Sequence, residues 1–513
     1  MKKAKALMFQ GTSSHCGKSL MVTAFCRIFK ELGYKVAPFK AQNMSLNSFV
    51  TKEGAEIARA QALQALAAGV EPTADMNPIL IKPKGDLSSQ IVLLGKPYME
   101  IDSNSYYKNF ALKYGINEVK KALKRLMKNY DLILIEGAGS PVEINLQKYD
   151  IANMRIAEIS NAPVILIADI DRGGVFASII GTLFLLKNKH RERIKGFIIN
   201  KFRGEISCLK PGLNYLKKVT KRAVYGVVPY IDGLILPFED SVSLDEKHRN
   251  SFASKAVEIA VIRFPRISNF TDFDPLELDP NVSVRFVSSL NELKNPDAII
   301  LPGTKNTIRD LIWLKEVGLD KRILELQEKG IPIIGICGGY QMLGKWILDK
   351  SGIEAGINCK VKGLGILDTI TSFNVYNKIT RQVKAKVIGD GEILGSIKGF
   401  TISGYEIHMG LTKLGKKSKP IFKIIESRNG NSEYFDGAIN ENGKVFGTYI
   451  HGIFDNPTLR KALIAFLMKQ KGYEPIEIFD EDIRNLWMKS IEKLAKVVKE
   501  NVDIDGIISL IDS

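Results

Sequence analysis

The run from Ile331 to Leu343, Ile-Pro-Ile-Ile-Gly-Ile-Cys-Gly-Gly-Tyr-Gln-Met-Leu, places a thiol where an apolar strand turns abruptly into a helix. Ile331 to Ile336 reads as a central parallel strand, and Gly335, Gly338 and Gly339 permit a sharp turn that side chains would block. This is a nucleophile elbow. A residue held at such a bend projects from the carboxyl edge of a sheet, where the following N–H and the helix N-terminus favour a thiolate and an oxyanion. An arbitrary cysteine is usually a small core residue, but the paired glycines argue against that reading for Cys337.

A chain of 513 residues is too long for one core, so two or three domains are expected. Its 45% hydrophobic and 25% charged residues are those of a folded globular protein. Cysteines at 16, 26, 208, 337 and 359 form neither a disulfide framework nor a paired zinc spacing, and a reducing cytoplasm fits them best. Ala6 to Phe9 is too short for an export core, and no segment approaches the roughly 20 apolar residues of a spanning helix. The net charge of +17 is spread along the chain and mixed with acids. No nucleic-acid or membrane partner is therefore expected, whereas a polyanionic small substrate suits the excess of positive charge.

In the first half, strand Lys5 to Gln10 is followed by Gly11-Thr-Ser-Ser-His-Cys-Gly-Lys-Ser19 and a helix from about Leu20 to Leu32. This is a phosphate-binding loop with five residues between its glycines instead of the usual four. Backbone N–H groups around Gly11, Thr12 and Gly17 cradle phosphates, Lys18 neutralises their charge, and the Ser19 hydroxyl suits Mg²⁺. Lys35 to Phe39 is a second strand and delivers Lys40 within reach of a phosphate. Glu56 to Ala68 reads as an alanine-rich helix stopped by Gly69. Strand Asp131 to Glu136 ends in a carboxylate, the natural Mg²⁺ partner of a phosphate loop. Strand Pro163 to Ala168 brings Asp169, Asp171 and Arg172 to the same edge, where they suit a second anionic ligand. Strands Lys195 to Asn200 and Tyr225 to Val228 complete a mostly parallel, helix-covered sheet.

Polar residues 239–255 read as a linker between a domain at 1–238 and another at 256–460, with a helical tail at 461–513 packed on the second. Strands Glu258 to Arg263, Ser283 to Val287 and Ala298 to Leu301 lead to the turn Pro302-Gly-Thr-Lys-Asn306. The N–H of Gly303 or Thr304, with that of Gly338, is the candidate oxyanion hole. Cys337 needs a base, and His451, at the end of an alternating strand, suits it better than the competitor His408.

The two halves together resemble the glutamine-hydrolysing cobyric acid synthases of cobalamin synthesis over about residues 5 to 456. The resemblance rests on Phe39-Lys-Ala-Gln-Asn-Met-Ser45, Glu136-Gly-Ala-Gly-Ser-Pro-Val-Glu143, Asp150-Ile-Ala-Asn-Met154 and Asp169-Ile-Asp-Arg-Gly-Gly-Val-Phe176 in the first half. In the second it rests on Leu301-Pro-Gly-Thr-Lys-Asn-Thr307, Gly335-Ile-Cys-Gly-Gly-Tyr-Gln341, Gly404-Tyr-Glu-Ile-His-Met-Gly410 and His451-Gly-Ile-Phe454. It implies an α/β fold of two doubly wound, mostly parallel-sheet domains: a dethiobiotin-synthetase-like ATP domain and a class I glutamine amidotransferase domain. Cys337 would attack glutamine with His451 managing the proton, supported by Gln341 and His408. ATP and Mg²⁺ would serve the first domain, with Ser19, Glu136 and Glu56 at the metal and Asn43, Asp150, Asp169, Asp171 and Arg172 handling substrate or intermediate. The implied substrate is adenosylcobyrinic acid a,c-diamide, amidated on four carboxylates; a homo-oligomer is left open. Where many class I glutaminases carry Glu two residues after the histidine, Ile453 stands here. A Cys337/His451 dyad is therefore expected, oriented by backbone or a distant acid, with no third catalytic residue assigned.

Two other readings compete. One is a cobyrinate a,c-diamide synthase, which differs after the acidic strand. The other is a partitioning-type nucleotide-switch ATPase with a degenerate glutaminase domain; such switches carry a second lysine near the start of the loop, where Gly11 and Thr12 stand.

Overall fold

Strand Lys5–Gly11 shows how the first sheet is covered on both faces: Ala6 and Met8 enter one apolar cluster, Leu7 and Phe9 the other. This period-two partition of an all-apolar run is what a parallel strand buried between helices requires. The computed structural model describes residues 4–85, 88–237, 255–374, 376, 378–427, 433–474 and 478–512. The expected linker, apart from Lys255, lies outside them.

The first sheet is parallel throughout, in the spatial order Ala223–Pro229, Ile194–Phe202, Val164–Asp169, Lys5–Gly11, Leu132–Glu136, Val36–Phe39. Its centre therefore sets the ends of Lys5–Gly11, Leu132–Glu136 and Val164–Asp169 side by side, the edge at which open α/β sheets take ligands. The second sheet runs Val282–Val287, Val257–Ile262, Ala298–Leu301, Ile333–Ile336, Val445–Thr448, Ala438–Ile439, with only the last pair antiparallel. A five-stranded antiparallel sheet beside it contains Thr401–His408 and ends on Ile450–His451.

Two expectations are corrected. The helix expected from Glu56 begins at Arg59, because Glu56–Ala58 is a buried strand paired with Ser48–Val50; the helix Arg59–Ala68 does end at Gly69, whose φ is 68°. This pair and a four-stranded sheet from Gln42–Met44 to Lys96–Asp102 form the face that meets the second domain. The tail also packs differently. Helix Pro457–Gln470 stays with the second domain, but Ile483–Asn501 returns to the first, burying Ile491, Leu494 and Val498 against a cluster that includes Phe25 and Phe29. An amphipathic stripe demands cover without naming its source. Each such large aliphatic side chain contributes roughly 1.5–3 kcal/mol when fully buried, enough to recruit the tail across the molecule. The last helix, Ile504–Asp512, follows it, and Asp512 pairs with Lys5 at 2.6 Å.

Candidate active sites

At the elbow, Cys337 takes φ 52°, ψ −107°, between strand Ile333–Ile336 and helix Gly338–Leu343. A non-glycine residue there stores about 1–3 kcal/mol of strain. The next turn is packed so closely on its neighbour that a Cβ at Gly339 would collide with the Leu301 carbonyl. His451 reaches the elbow from the antiparallel sheet, where it pairs with Tyr405.

His451 Nδ1 donates to Asp272 Oδ2 at 2.6 Å, and Asp272 Oδ1 accepts the Gly452 N–H at 3.1 Å. Both side chains are buried, so the carboxylate fixes the ring's orientation and tautomer and leaves Nε2 for Cys337. Burial opposes charge on His451, but Asp272, and then a hydrogen bond to Cys337, raise it to about 10. Tyr405 stacks on the other side of the ring at 5.3 Å and 16°. Asp272 is thus the distant acid: it sits in the short helical turn Phe270–Phe273, reached by no local pattern around the histidine. The polar cluster Asn269-Phe-Thr-Asp272 behind the first strand of this domain was the available signal.

The Gly303–Thr304 loop abuts the elbow: the Thr304 N lies 3.2 Å from where a Gly338 Cβ would stand, and a Gly303 Cβ would lie 3.0 Å from His451 Cε1. The loop therefore packs directly on the turn that follows the thiol and on its histidine. Gln341 accepts from the Thr307 hydroxyl at 2.8 Å and donates to Met409 O at 2.8 Å and Tyr449 Oη at 3.1 Å. His408 stacks on Tyr449 at 3.7 Å, and burial pushes it down to about 4, so it is neutral at pH 7. Gln341 and His408, with Cys337 and Thr304, line a cavity of about 60 Å³ that also takes Lys82 from the first domain.

The phosphate loop lies at the other site. Gly17, φ 97°, precedes helix Lys18–Glu31. Lys18 Nζ bonds Ser13 O at 2.9 Å and Gly139 O at 3.1 Å, bridging the loop to the one after Glu136. Glu136 gathers the site: Ser19 Oγ and Lys40 Nζ each lie 2.8 Å from Oε1, and Gln64 Nε2 lies 2.6 Å from Oε2. Hydroxyl and carboxylate oxygens in this arrangement suit Mg²⁺. Asp169 pairs with Lys201, which also donates to His15 O in the loop. Asp171 pairs with Arg203, and Arg172 is exposed beside them. Asp150 accepts the N–H groups of Ala152, Asn153 and Arg155, and Asn43 donates to Gln61; both support the site's framework.

Residues 7–241 match the CobQ/CobB/MinD/ParA nucleotide binding domain, and residues 258–459 match the CobB/CobQ-like glutamine amidotransferase domain. The chain is 51% identical to a probable cobyric acid synthase of Methanosarcina mazei, over 99% of both chains. It is 48% identical to a cobyric acid synthase of Dehalococcoides mccartyi strain CBDB1, again over 99% of both. The chain belongs to the cobyric acid synthase family. Membership of that family joins the two sites in one reaction sequence and sets aside the nucleotide-switch reading, which leaves the held Cys337, His451 and Asp272 unexplained.

For this cobyric acid synthase family member, Glu56 corrects the expected metal set. It is fully buried, and its carboxylate holds Lys82 and Ser48 of its own domain and Lys378 of the other. Two buried lysines, one on each oxygen, already balance its charge and would repel a metal ion. Burial opposes its charge, yet Lys378 and Lys82 hold it well below the usual carboxylate range. Glu56 is an interdomain tie. Glu56→Gln should cost about 3 kcal/mol by leaving buried lysines unpaired, read as a lower unfolding midpoint. Because the folded-state pKa is depressed, the difference is present at pH 7 and fades as pH falls below about 4.

Proposed function

We propose that the chain hydrolyses glutamine at Cys337 and uses the ammonia, with ATP, to amidate the b, d, e and g carboxylates of adenosylcobyrinic acid a,c-diamide, giving adenosylcobyric acid. The observation that carries this reading is the Asp272-held His451 beside an elbow thiol, in a chain whose other domain holds a phosphate loop. A thiolate at Cys337 attacks the side-chain amide carbon, the N–H groups at Gly338 and Gly303 or Thr304 receive the oxyanion, and protonated His451 gives its proton to the leaving ammonia. Water, deprotonated by the now neutral His451, releases glutamate from the thioester.

In the first domain, ATP activates a carboxylate, otherwise a poor electrophile, and ammonia displaces phosphate. The loop from Gly11 to Gly17 with Lys18 binds the nucleotide phosphates, while Ser19 and Glu136 would hold Mg²⁺, which neutralises phosphate charge. Asp169, Asp171 and Arg172 would handle substrate or the activated intermediate. Free thiols at all five cysteines suit a cytoplasmic setting, and among the described residues no helix is long and apolar enough to cross a membrane.

Mass spectrometry of the corrinoid after incubation with ATP, Mg²⁺ and glutamine should show four successive replacements of hydroxyl by amine. Glutamine hydrolysis without corrinoid amidation would defeat the proposal. Glu136→Gln should lower amidation about 100-fold from either glutamine or ammonia, with a raised Mg²⁺ requirement in a titration of rate against metal.

A further inference from the structure

The cavity beside Cys337 holds more charge than the mechanism above uses. Lys82, Lys305, Lys378 and Glu354 line it together with the thiol. Glu56 accepts from Lys82 on one oxygen and from Lys378 on the other. Three lysines against two carboxylates leave one positive charge over, and Lys305 is its bearer. Its Nζ donates to a neutral acceptor, Gln90 Oε1, at 2.8 Å, and it makes no ion pair among the described residues. Burial and the neighbouring Lys378 and Lys82 push it down to about 7, against the pull of Glu354 and Glu56. Glu354 is buried as well. One of its oxygens accepts the Thr307 N–H, and the other makes no hydrogen bond among the described residues. Burial pushes this carboxyl up, with Lys305 the chief opposing influence. A cation without a counter-ion and a carboxylate with an open oxygen, acting on each other's charge in one cavity with a nucleophile, suit a small zwitterion.

We propose that Lys305 and Glu354 determine which amide Cys337 accepts, Lys305 taking the α-carboxylate and Glu354 the α-ammonium of free glutamine. The inference rests on the glutamine hydrolysis proposed above and names what selects its substrate. Three C–C bonds of about 1.5 Å separate glutamine's amide carbon from its Cα, so both headgroup charges fall within roughly 4–6 Å of the carbon under attack. Lys305 enters the cavity at that remove, because Thr304 before it packs on the elbow: its N lies 3.2 Å from where a Gly338 Cβ would stand. The α-carboxylate supplies the negative charge that Lys305 lacks, and the α-ammonium meets the open oxygen of Glu354. An amide without these charges leaves both groups buried and unpaired, and a site built around polar contacts rejects such ligands strongly. The selection matters chemically. The products of the first domain are themselves primary amides, and the headgroup requirement keeps the thiol from hydrolysing them.

The test pairs each side chain with an amide lacking the group it is assigned, using the full chain. In the wild type, kcat/KM for glutamine should exceed by about 100-fold that for 4-aminobutanamide, which has no carboxylate, and that for glutaric acid monoamide, which has no amine. Lys305→Met should lower kcat/KM for glutamine about 100-fold, mostly through KM, and leave 4-aminobutanamide unchanged. Glu354→Gln, which keeps an acceptor for the Thr307 N–H, should cost glutamine about tenfold or more and leave glutaric acid monoamide unchanged. Alkylation of Cys337 by iodoacetamide, which carries no headgroup, should keep its wild-type rate in both variants, followed by mass spectrometry of the Cys337 peptide. Equal losses on glutamine and on the matching truncated amide overturn the inference, as does a wild type that takes 4-aminobutanamide as readily as glutamine. A wild type that hydrolyses none of the three amides overturns the functional reading instead.

Discussion

Cys337→Ala will lower glutamine-driven amidation by about four orders of magnitude or more and leave ammonia-driven amidation in place. The asymmetry follows from the architecture. The thiol belongs to the second sheet, at the end of Ile333–Ile336, whereas Lys18, Ser19 and Glu136 belong to the first. An alanine removes the atom that forms the thioester without touching the groups that handle phosphate. It also suits the elbow poorly, since φ 52° is no better tolerated by Ala than by Cys. The measurement is corrinoid amidation with glutamine and, separately, with ammonium at a pH high enough to supply free ammonia. Loss of both would contradict the division between the domains.

Asp272→Asn should lower glutamine hydrolysis by about 10³- to 10⁴-fold. The amide cannot stabilise a positive imidazole, and it can offer its N–H to Nδ1, turning the ring to the wrong tautomer. The variant also has a pH signature. In the native protein Asp272 and Cys337 outweigh burial and keep His451 protonated up to about 10. A raised folded-state pKa favours the charged form, so the proton donor persists at neutral pH and is lost as pH rises through about 10. The alkaline limb of the kcat/KM profile should lie there in the wild type. In Asp272→Asn it should move down toward the ordinary imidazole range near 6.5. An unmoved limb would show that Asp272 only packs against the ring.

The parts of the molecule readable from sequence were those whose chemistry is local. The elbow at Cys337 and the loop from Gly11 to Ser19 each lie between a strand and a helix within about a dozen residues, and both sheets followed from short apolar runs. What escaped was held together over long separations. Asp272 is 179 residues from His451 and comes from a single turn with no periodicity. Glu56 is 26 residues from Lys82 and 322 from Lys378, so the metal role that the resemblance implied gave no sign of the two cations the fold supplies. The strands around Glu56 were hidden by the helix-forming alanines that follow, and the tail's apolar face did not say which domain would cover it.

The returning tail has a mechanical consequence. The chain comes back to the first domain between Phe479, whose N–H is held by Asp279 in the second, and the helix beginning at Ile483. A crossing this short, with packed structure at both of its ends, tethers the domains to each other at that place. Any parting of the domains beside the Cys337 cavity has to break the Glu56–Lys378 contact while that tether holds.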